Sequence, residues 1–176
     1  MCIRDRVDEA AGVGVFDLKL ELAWVIDGET TVREVRLDQA RHAFVVPMAA
    51  DPQQVRVDPG AKVLLKLDFN PGDDKLKTQL RHAPDVIGRI RAARELCKTG
   101  KRANVRAVAA AYDEEPFWGV RAAWADALAG AGTSDALEAL ARLVGVEQDA
   151  RVLEPLIRSA AAFRDCLLYT SDAADE

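Results

Sequence analysis

The period of the hydrophobic pattern changes near residue 70, and this change restricts the possible folds more than any other feature of the chain. Between residues 15 and 69, apolar and polar residues alternate in several short runs, which is typical of strands with one buried face. After Asn70-Pro71-Gly72, alanine becomes frequent and apolar residues recur about every 3.6 positions, which is typical of amphipathic helices. The sequence therefore predicts a multi-domain chain that is first β and then all-α.

Five strands are predicted before residue 70. In the first, Phe16, Leu18, Leu20 and Leu22 share one face, and the Asp27-Gly28 pair that follows is a hairpin signal. The other four are predicted at residues 31–37, 42–47, 54–57 and 62–67. Short strands separated by turn signals are typical of an antiparallel sheet or sandwich. Because the left boundary of this segment is arbitrary, we expect the set of strands to be incomplete.

Six helices are predicted after residue 70. The first covers residues 73–81 and the third covers residues 102–112. Asp85 and Ser134 are predicted to cap two others, and Pro116 and Asp149 to begin the remaining two. Proline suits the first position of a helix, where no amide partner is needed. Inside a helix it removes a hydrogen bond, so Pro155 is expected to interrupt the last helix.

A weak internal repeat lies within the helical segment. Residues 88–93 resemble residues 118–123, with Ile90 matching Val120 and Arg91 matching Arg121 at an offset of 30. Residues 149–152 form a degenerate third copy. Paired short helices that repeat in this way predict a solenoid of the HEAT type. The usual repeat length of that class is longer, about 40 residues.

The charge balance and the cysteines limit the kinds of partner and compartment. The net charge is −5 for the whole chain and −3 over residues 7–165, where 22 Lys and Arg face 25 Asp and Glu. A mildly acidic chain offers no electrostatic case for nucleic acid or an anionic membrane, and no apolar run approaches the ~20 residues of a membrane span. Cys97 is the one cysteine of residues 7–165, which suits a reducing compartment, and we expect a cytoplasmic location.

Both ends of the chain are expected to be non-native. Residues 1–6 and the tail from Cys166 can be encoded by one DNA sequence read on opposite strands, and the tail resembles the translated adapter of transposase-based sequencing libraries. Such segments are excluded from fold reasoning, so residues 7–165 are taken as the natural sequence and Met1 as an accidental start. The alternative is that both ends are ordinary flexible termini. We expect residues 1–6 and 166–176 to pack on nothing.

The chain shows none of the motifs that carry catalysis. It has no His-Glu-x-x-His, no Gly-rich phosphate loop, no Gly-x-Ser-x-Gly and no Cys-x-x-Cys, so no residue is assigned a catalytic, cofactor-binding or metal-binding role. His42 and His82 are interpreted as ordinary surface histidines, because a metal site needs several converging ligands. Cys97 lies on an apolar helix stripe, which favours core packing over a reactive thiol.

One basic cluster and one aromatic group each leave two interpretations, and one acidic run leaves a single one. The cluster is either a clamp for an anion or carboxylate, or a solvated face paired with Asp85 and Glu95, and we favour the second. It consists of Arg81, Arg89, Arg91 and Arg94. The acidic run, residues 113–115, is interpreted as a solvated loop that favours the next helix start. The aromatic group is either a binding patch or inter-helix packing, which we favour, and it consists of Phe117, Trp118 and Trp124.

Four stretches between residues 55 and 128 carry a family resemblance. They read Val57-Asp58-Pro59, Leu64-Leu65-Lys66-Leu67-Asp68-Phe69, Gln79-Leu80-Arg81-His82-Ala83-Pro84-Asp85-Val86-Ile87-Gly88-Arg89-Ile90-Arg91-Ala92-Ala93 and Pro116-Phe117-Trp118-Gly119-Val120-Arg121. They resemble the C-terminal part of aminopeptidase N-type zinc metallopeptidases, in which a small β-sandwich joins the catalytic domain to a helical-repeat domain. The zinc motif, the glutamate ligand and the Gly-x-Met-Glu-Asn motif of that family have no match here.

The resemblance implies an Ig-like antiparallel β-sandwich segment at residues 7–69, followed by a HEAT-like α-helical solenoid at residues 70–165. The adapter-like segments at 1–6 and 166–176 lie outside it. It implies a non-catalytic C-terminal fragment of an enzyme that removes N-terminal residues from peptides, with this part shaping or closing the peptide cavity. The partners would be the upstream catalytic domain of the same parent chain and, through it, the peptide substrate. Zinc is expected in the parent protein and no cofactor in this fragment.

Two alternatives stay open. The first is a non-enzymatic HEAT-repeat scaffold or protein-binding module, since a sandwich followed by such repeats also suits proteins that only bind partners. The second is a free-standing repeat protein of the lyase-associated type.

Overall fold

A computed structural model describes residues 2–4, 17–39 and 41–171, with side chains for residues 17–39 and 41–163. The chain divides into two compact units, Met1–Pro71 and Gly72–Glu176. The strands are β1 Cys2–Arg4, β2 Leu18–Ile26, β3 Glu29–Leu37, β4 Arg41–Ala43 and β5 Gln54–Val57. The helices are α1 Asp73–His82, α2 Val86–Cys97, α3 Arg102–Tyr112, α4 Trp118–Gly130, α5 Ser134–Val146 and α6 Ala150–Ser171. The predicted order, an antiparallel β segment and then an all-α segment, is confirmed.

The first unit contains a three-stranded antiparallel sheet in the order β3-β2-β5. Its two long strands form a hairpin around Asp27 and Gly28, which both have positive φ angles of 50° and 80°. A two-residue turn with two positive φ angles matches the twist of the strands it joins, so the hairpin signal is confirmed. The alternation is confirmed as well, because one face of the sheet buries Leu20, Leu22, Val35, Leu37 and Val57. Phe16 lies outside the described residues.

Two predicted strands differ in the structure. Residues 62–67, all within the described part of the chain, form no strand, although Val63 and Leu65 still pack on the sheet. The buried Asp58 carboxylate accepts hydrogen bonds from the backbone amides of Lys62 and Val63, both at 3.0 Å. These donors are therefore unavailable for pairing with a neighbouring strand. The strand predicted at residues 42–47 is confined to β4.

The expectation that residues 1–6 pack on nothing is wrong for β1, which pairs antiparallel with β4 in a two-stranded ladder. Such pairing uses backbone groups that any sequence supplies. At the other end, α6 continues to Ser171, into the tail that was predicted to be non-native. Residues 5–6 and 172–176 lie outside the described residues. The non-native origin of both ends stays a prediction.

The second unit consists of three antiparallel helix pairs, α1–α2, α3–α4 and α5–α6, stacked so that α2, α4 and α6 are successive neighbours. The bounds of α1 and α3 agree with the prediction to within one residue. Asp85 caps α2 as predicted, because its carboxylate accepts the Gly88 amide at 2.7 Å. The predictions at three other helix starts are wrong by one or two residues, since α6 begins at Ala150 rather than at Asp149. The cap of α5 is Thr133, and Pro116 precedes α4.

The stacked pairs share one apolar core. Its largest fully buried side chains include Trp124, Leu80, Leu96, Leu128 and Leu140. Pro155 lies inside α6 without ending it, so the predicted interruption is wrong. Burial of the neighbouring residues against α4 and α5 holds the helix together across the missing amide. Among the described residues, no helix is both long and apolar enough to cross a bilayer.

Candidate functional site

A buried ion pair links the first helix pair to the second. Arg89 in α2 donates from Nε to Glu115 Oε2 at 2.7 Å and from Nη2 to Oε1 at 3.3 Å. Its remaining nitrogen, Nη1, donates to the Ala83 carbonyl at 3.0 Å. The side chains are only 15% and 3% exposed. Because the two planar groups meet in a bidentate geometry, the pair fixes the position of α2 against the turn before α4.

The same arrangement recurs between the second and third helix pairs. Arg121 in α4 donates to Glu147 from Nε at 2.9 Å and from Nη2 at 3.3 Å. Its Nη1 donates to the Glu115 carbonyl at 3.0 Å. Each glutamate also accepts a backbone amide two residues ahead, that of Phe117 at 3.0 Å and that of Asp149 at 2.9 Å. We call these two pairs the arginine–glutamate ladder.

The ladder gives the repeat length. Arg89 and Arg121 are 32 residues apart, as are Glu115 and Glu147, and so are the residues that precede α2, α4 and α6. The predicted offset of 30 is therefore wrong. A shift of two residues turns a helical position by roughly 200°, so the sequence match aligned residues that face different ways. The overlooked signal is Pro84, which matches Pro116 at the correct spacing.

Tyr112 adds a third donor to the second pair of the ladder. Its hydroxyl donates to Glu147 Oε2 at 2.6 Å. Burial raises the pKa of Tyr112, and the hydrogen bond to the Glu147 carboxylate raises it further. Burial alone would also raise the pKa of Glu147, but the donors around its carboxylate, with Tyr112 first, lower it to about 2. Glu147 is therefore a charged acceptor at neutral pH.

A cavity of about 230 Å³ lies beside the first pair of the ladder. Its lining consists of Leu80, Arg81, Arg89, Ala111, Glu114, Glu115, Pro116 and Trp124. Trp124 is almost fully buried, and its indole Nε1 donates to the Arg89 carbonyl at 3.2 Å. Arg81 and Glu114 are exposed and lie where the cavity meets solvent. The cavity thus has a buried apolar floor beside a buried carboxylate.

An aromatic patch occupies the start of α4. Phe117 is 41% exposed and contacts Trp118, with ring centroids 5.7 Å apart. The guanidinium of Arg151 lies 4.6 Å from the centre of the Trp118 ring, within the range of a cation–π interaction. The ring of Phe117 folds back over Gly119, where an added Cβ would come within 2.8 Å of Phe117 Cε1. Gly119 therefore permits this position of the ring.

The predicted aromatic group is thus divided between two roles. Trp124 belongs to the core and Trp118 packs against it, as favoured, whereas Phe117 is exposed. The core assignment of Cys97 is confirmed, because the side chain is buried and burial raises the pKa of its thiol to about 12. His42 Nε2 accepts the backbone amides of residues 38 and 39 at 3.0 Å each, so it stabilises a turn.

The basic cluster is not a single site, and the acidic run is not wholly a solvated loop. Arg89 points into the junction between repeats, while Arg94 is exposed. Glu95 pairs with Lys98 at 3.6 Å. Glu115, predicted to lie in a solvated loop, is 6% exposed. Its burial follows from the packing of α2 against α4, which a local charge pattern does not report.

Sequence reasoning therefore missed the two glutamates of the ladder. The signal that could have found them is an arginine followed 26 residues later by a glutamate, twice, in register with the repeat. The described residues bring no three His, Cys, Asp or Glu side chains into an arrangement that could hold a metal ion.

Comparison with known families identifies the second unit. A model of HEAT repeats matches residues 74–161, half of the 176-residue chain. The chain belongs to the HEAT-repeat family. The HEAT repeats are the three helix pairs that the ladder joins, which confirms the HEAT-like part of the sequence prediction. No curated protein matches the chain.

Proposed function

We propose that this chain is a rigid HEAT-repeat scaffold that binds a partner protein at the start of α4. The observation that carries the proposal is the aromatic patch, in which the exposed Phe117 contacts the partly buried Trp118 and Arg151 lies over the Trp118 ring. Exposed aromatic and arginine side chains are the residues that most often dominate the affinity of protein interfaces. The patch rests on a helix that the ladder fixes in place, so little ordering is lost when a partner binds.

The packing of the repeats supports the scaffold part of this proposal. The buried bidentate pairs and the interlocked cores leave each helix with one arrangement relative to its neighbours. A surface built on such elements is preorganised for recognition. The family adds support, because stacked helix pairs create extended binding surfaces.

A display selection tests the proposal with the full chain as bait. Peptides selected from a random library are expected to bind the chain and to lose more than about tenfold in affinity on Phe117→Ala, as for a central aromatic contact. Ile157→Ala is the matched control, since Ile157 is an exposed apolar residue of α6, at 55%. It is expected to change affinity little. If the selected peptides lose equal affinity on both variants, or on neither, the patch is not the binding surface.

Gly119→Ala gives a second readout at the same surface. The added methyl group must displace the Phe117 ring, while alanine favours the helix by about 1 kcal/mol. We therefore expect weaker peptide binding without loss of stability. A binding surface that excludes the Phe117 ring would leave affinity unchanged.

A second candidate is the non-catalytic C-terminal part of a zinc aminopeptidase. It is favoured by the order of the chain, an antiparallel sheet followed by HEAT repeats. The catalytic domain and the peptide substrate would then be its partners, and zinc would be held outside the described residues, which offer no group of ligands for it. Finding a His-Glu-x-x-His motif with a downstream glutamate in the upstream coding sequence would support this candidate, and its absence would reject it. Residues 7–165 with zinc are expected to cleave no aminoacyl reporter.

A further inference from the structure

The two junctions between helix pairs differ in how they are filled. At the second junction, Tyr112 and Leu143 lie beside the Arg121–Glu147 pair, and both are buried. The positions 32 residues earlier hold Leu80 and Ala111, which are smaller. The cavity of about 230 Å³ lies at that first junction and is lined by these two residues. The cavity therefore borders the position that corresponds to Tyr112 in the next repeat, above the buried Leu80 and Ala111.

The carboxylates at the two junctions also differ. Glu147 Oε2 accepts both Arg121 Nε and the Tyr112 hydroxyl, at 2.9 Å and 2.6 Å. Glu115 Oε2 accepts Arg89 Nε alone among the described residues. A carboxylate oxygen has two lone-pair directions, so Glu115 retains an acceptor site beside the cavity. What the first junction lacks is a hydroxyl donor carried by an aromatic ring.

The shape and lining of the cavity suit such a group. An apolar cavity of about 150 Å³ is known to hold a benzene molecule, so about 230 Å³ accommodates a phenol ring. Leu80, Ala111 and Trp124, each no more than 2% exposed, form the apolar floor of the cavity, and Pro116 and the side chains of Arg81 and Arg89 complete its lining. Arg81 at the mouth is exposed and forms no ion pair among the described residues, so no internal salt bridge closes the entrance.

We propose that this cavity binds the tyrosine side chain of a partner protein, whose hydroxyl donates to Glu115 Oε2. The partner's ring takes the place that Tyr112 occupies within the chain at the next junction. This assignment rests on the proposed function, because it names the side chain by which a protein partner would be held. A free phenol has the same chemistry as the tyrosine ring, and the experiment separates the two sources.

The test titrates the isotopically labelled full chain with small probes and follows its amide and indole resonances. We expect p-cresol and N-acetyl-tyrosine amide to bind saturably in the millimolar range and to shift the Trp124 indole signal. We expect toluene and N-acetyl-phenylalanine amide to bind at least about tenfold more weakly, because a hydrogen bond to a charged group is lost. Equal affinity for p-cresol and toluene, or no binding of p-cresol, would overturn the proposal. Binding of p-cresol without the tyrosine amide would also overturn it, in favour of a free phenol.

Variants that fill the cavity from within supply the controls. Leu80→Tyr copies the second junction and is expected to abolish probe binding, whereas Ile157→Ala, at an exposed residue of α6 outside the cavity lining, is expected to retain it. Ala111→Leu copies Leu143 and fills the cavity from the other wall, so it tests the site independently if Leu80→Tyr does not fold. Probe binding that survives in a folded Leu80→Tyr or Ala111→Leu variant would place the site elsewhere. Since these probes need no protein partner, their binding is decided separately from the peptide selection.

Discussion

Replacing Glu147 by glutamine removes the charge at the centre of the second junction while nearly preserving the shape of the side chain. The substitution leaves the Arg121 guanidinium, which is 17% exposed, without its main partner. The next carboxylate, that of Asp149, lies at 4.0 Å from Arg121. A buried charge that loses its partner is costly because water replaces the lost contact incompletely. We therefore expect Glu147→Gln to destabilise the helical unit.

The magnitude follows from the pKa of Glu147. Burial would raise it, but hydrogen bonds from Tyr112, from the Asp149 amide and from Arg121 lower it from 4.5 to about 2. At 1.36 kcal/mol for each pH unit, a shift of this size corresponds to about 3 kcal/mol. Because the turn that carries Glu147 lies near solvent, screening reduces the expected contribution to about 2 kcal/mol.

The sign of the pH dependence distinguishes this effect from simple loss of packing. The pKa of Glu147 is lower in the folded chain than in the unfolded chain, so its stabilisation is fully present above about pH 5. It is lost as the pH falls through the range from about 4.5 to about 2. The difference in unfolding free energy between the wild-type chain and Glu147→Gln should therefore shrink across that range.

Urea unfolding of the full chain, followed by far-UV circular dichroism, measures this difference because the signal comes mainly from the helices. At neutral pH we expect the midpoint to fall by about 1 M, and near pH 3 by clearly less. Glu154→Gln is the control, since Glu154 is 72% exposed and pairs with Arg158 on the surface, where such pairs contribute less than about 1 kcal/mol. A midpoint that is unchanged at neutral pH, or a difference that persists at pH 3, would refute the account of the ladder.

Two further predictions concern a helix cap and a thiol. Thr133→Ala should lower the stability of the helical unit by about 1 kcal/mol in the same assay, because the Thr133 hydroxyl accepts an amide of the first turn of α5, whereas Ser134→Ala should have little effect. The opposite ranking would show that Ser134 is the cap. In a chain with Cys2→Ser and Cys166→Ser, Cys97 should react with a disulfide reagent only after unfolding, since it is buried and its pKa is raised to about 12. Rapid reaction of the native chain would contradict this.

The local elements of the second unit could be predicted well because their signals are local. The 3.6-residue period and Asp85 as a cap each depend on a few neighbouring residues. In the first unit the same holds for the Asp27-Gly28 hairpin. The strand predicted at residues 62–67 does not form, because a side chain outside this run binds two of its backbone amides. Its alternation is real, but the Asp58 carboxylate takes the amides that a strand would need.

The sequence alone determined which segments become sheet and which become helices, because burial of one face sets the period of apolar residues along each element. Only the tertiary structure decided the 32-residue repeat and the burial of Glu115 and Glu147. It also decided the cavity beside Leu80. These features join residues about a repeat apart, and the register of one helix pair on the next selects them. That register depends on how complete side chains fill the junction, which no local pattern of apolar and polar residues encodes.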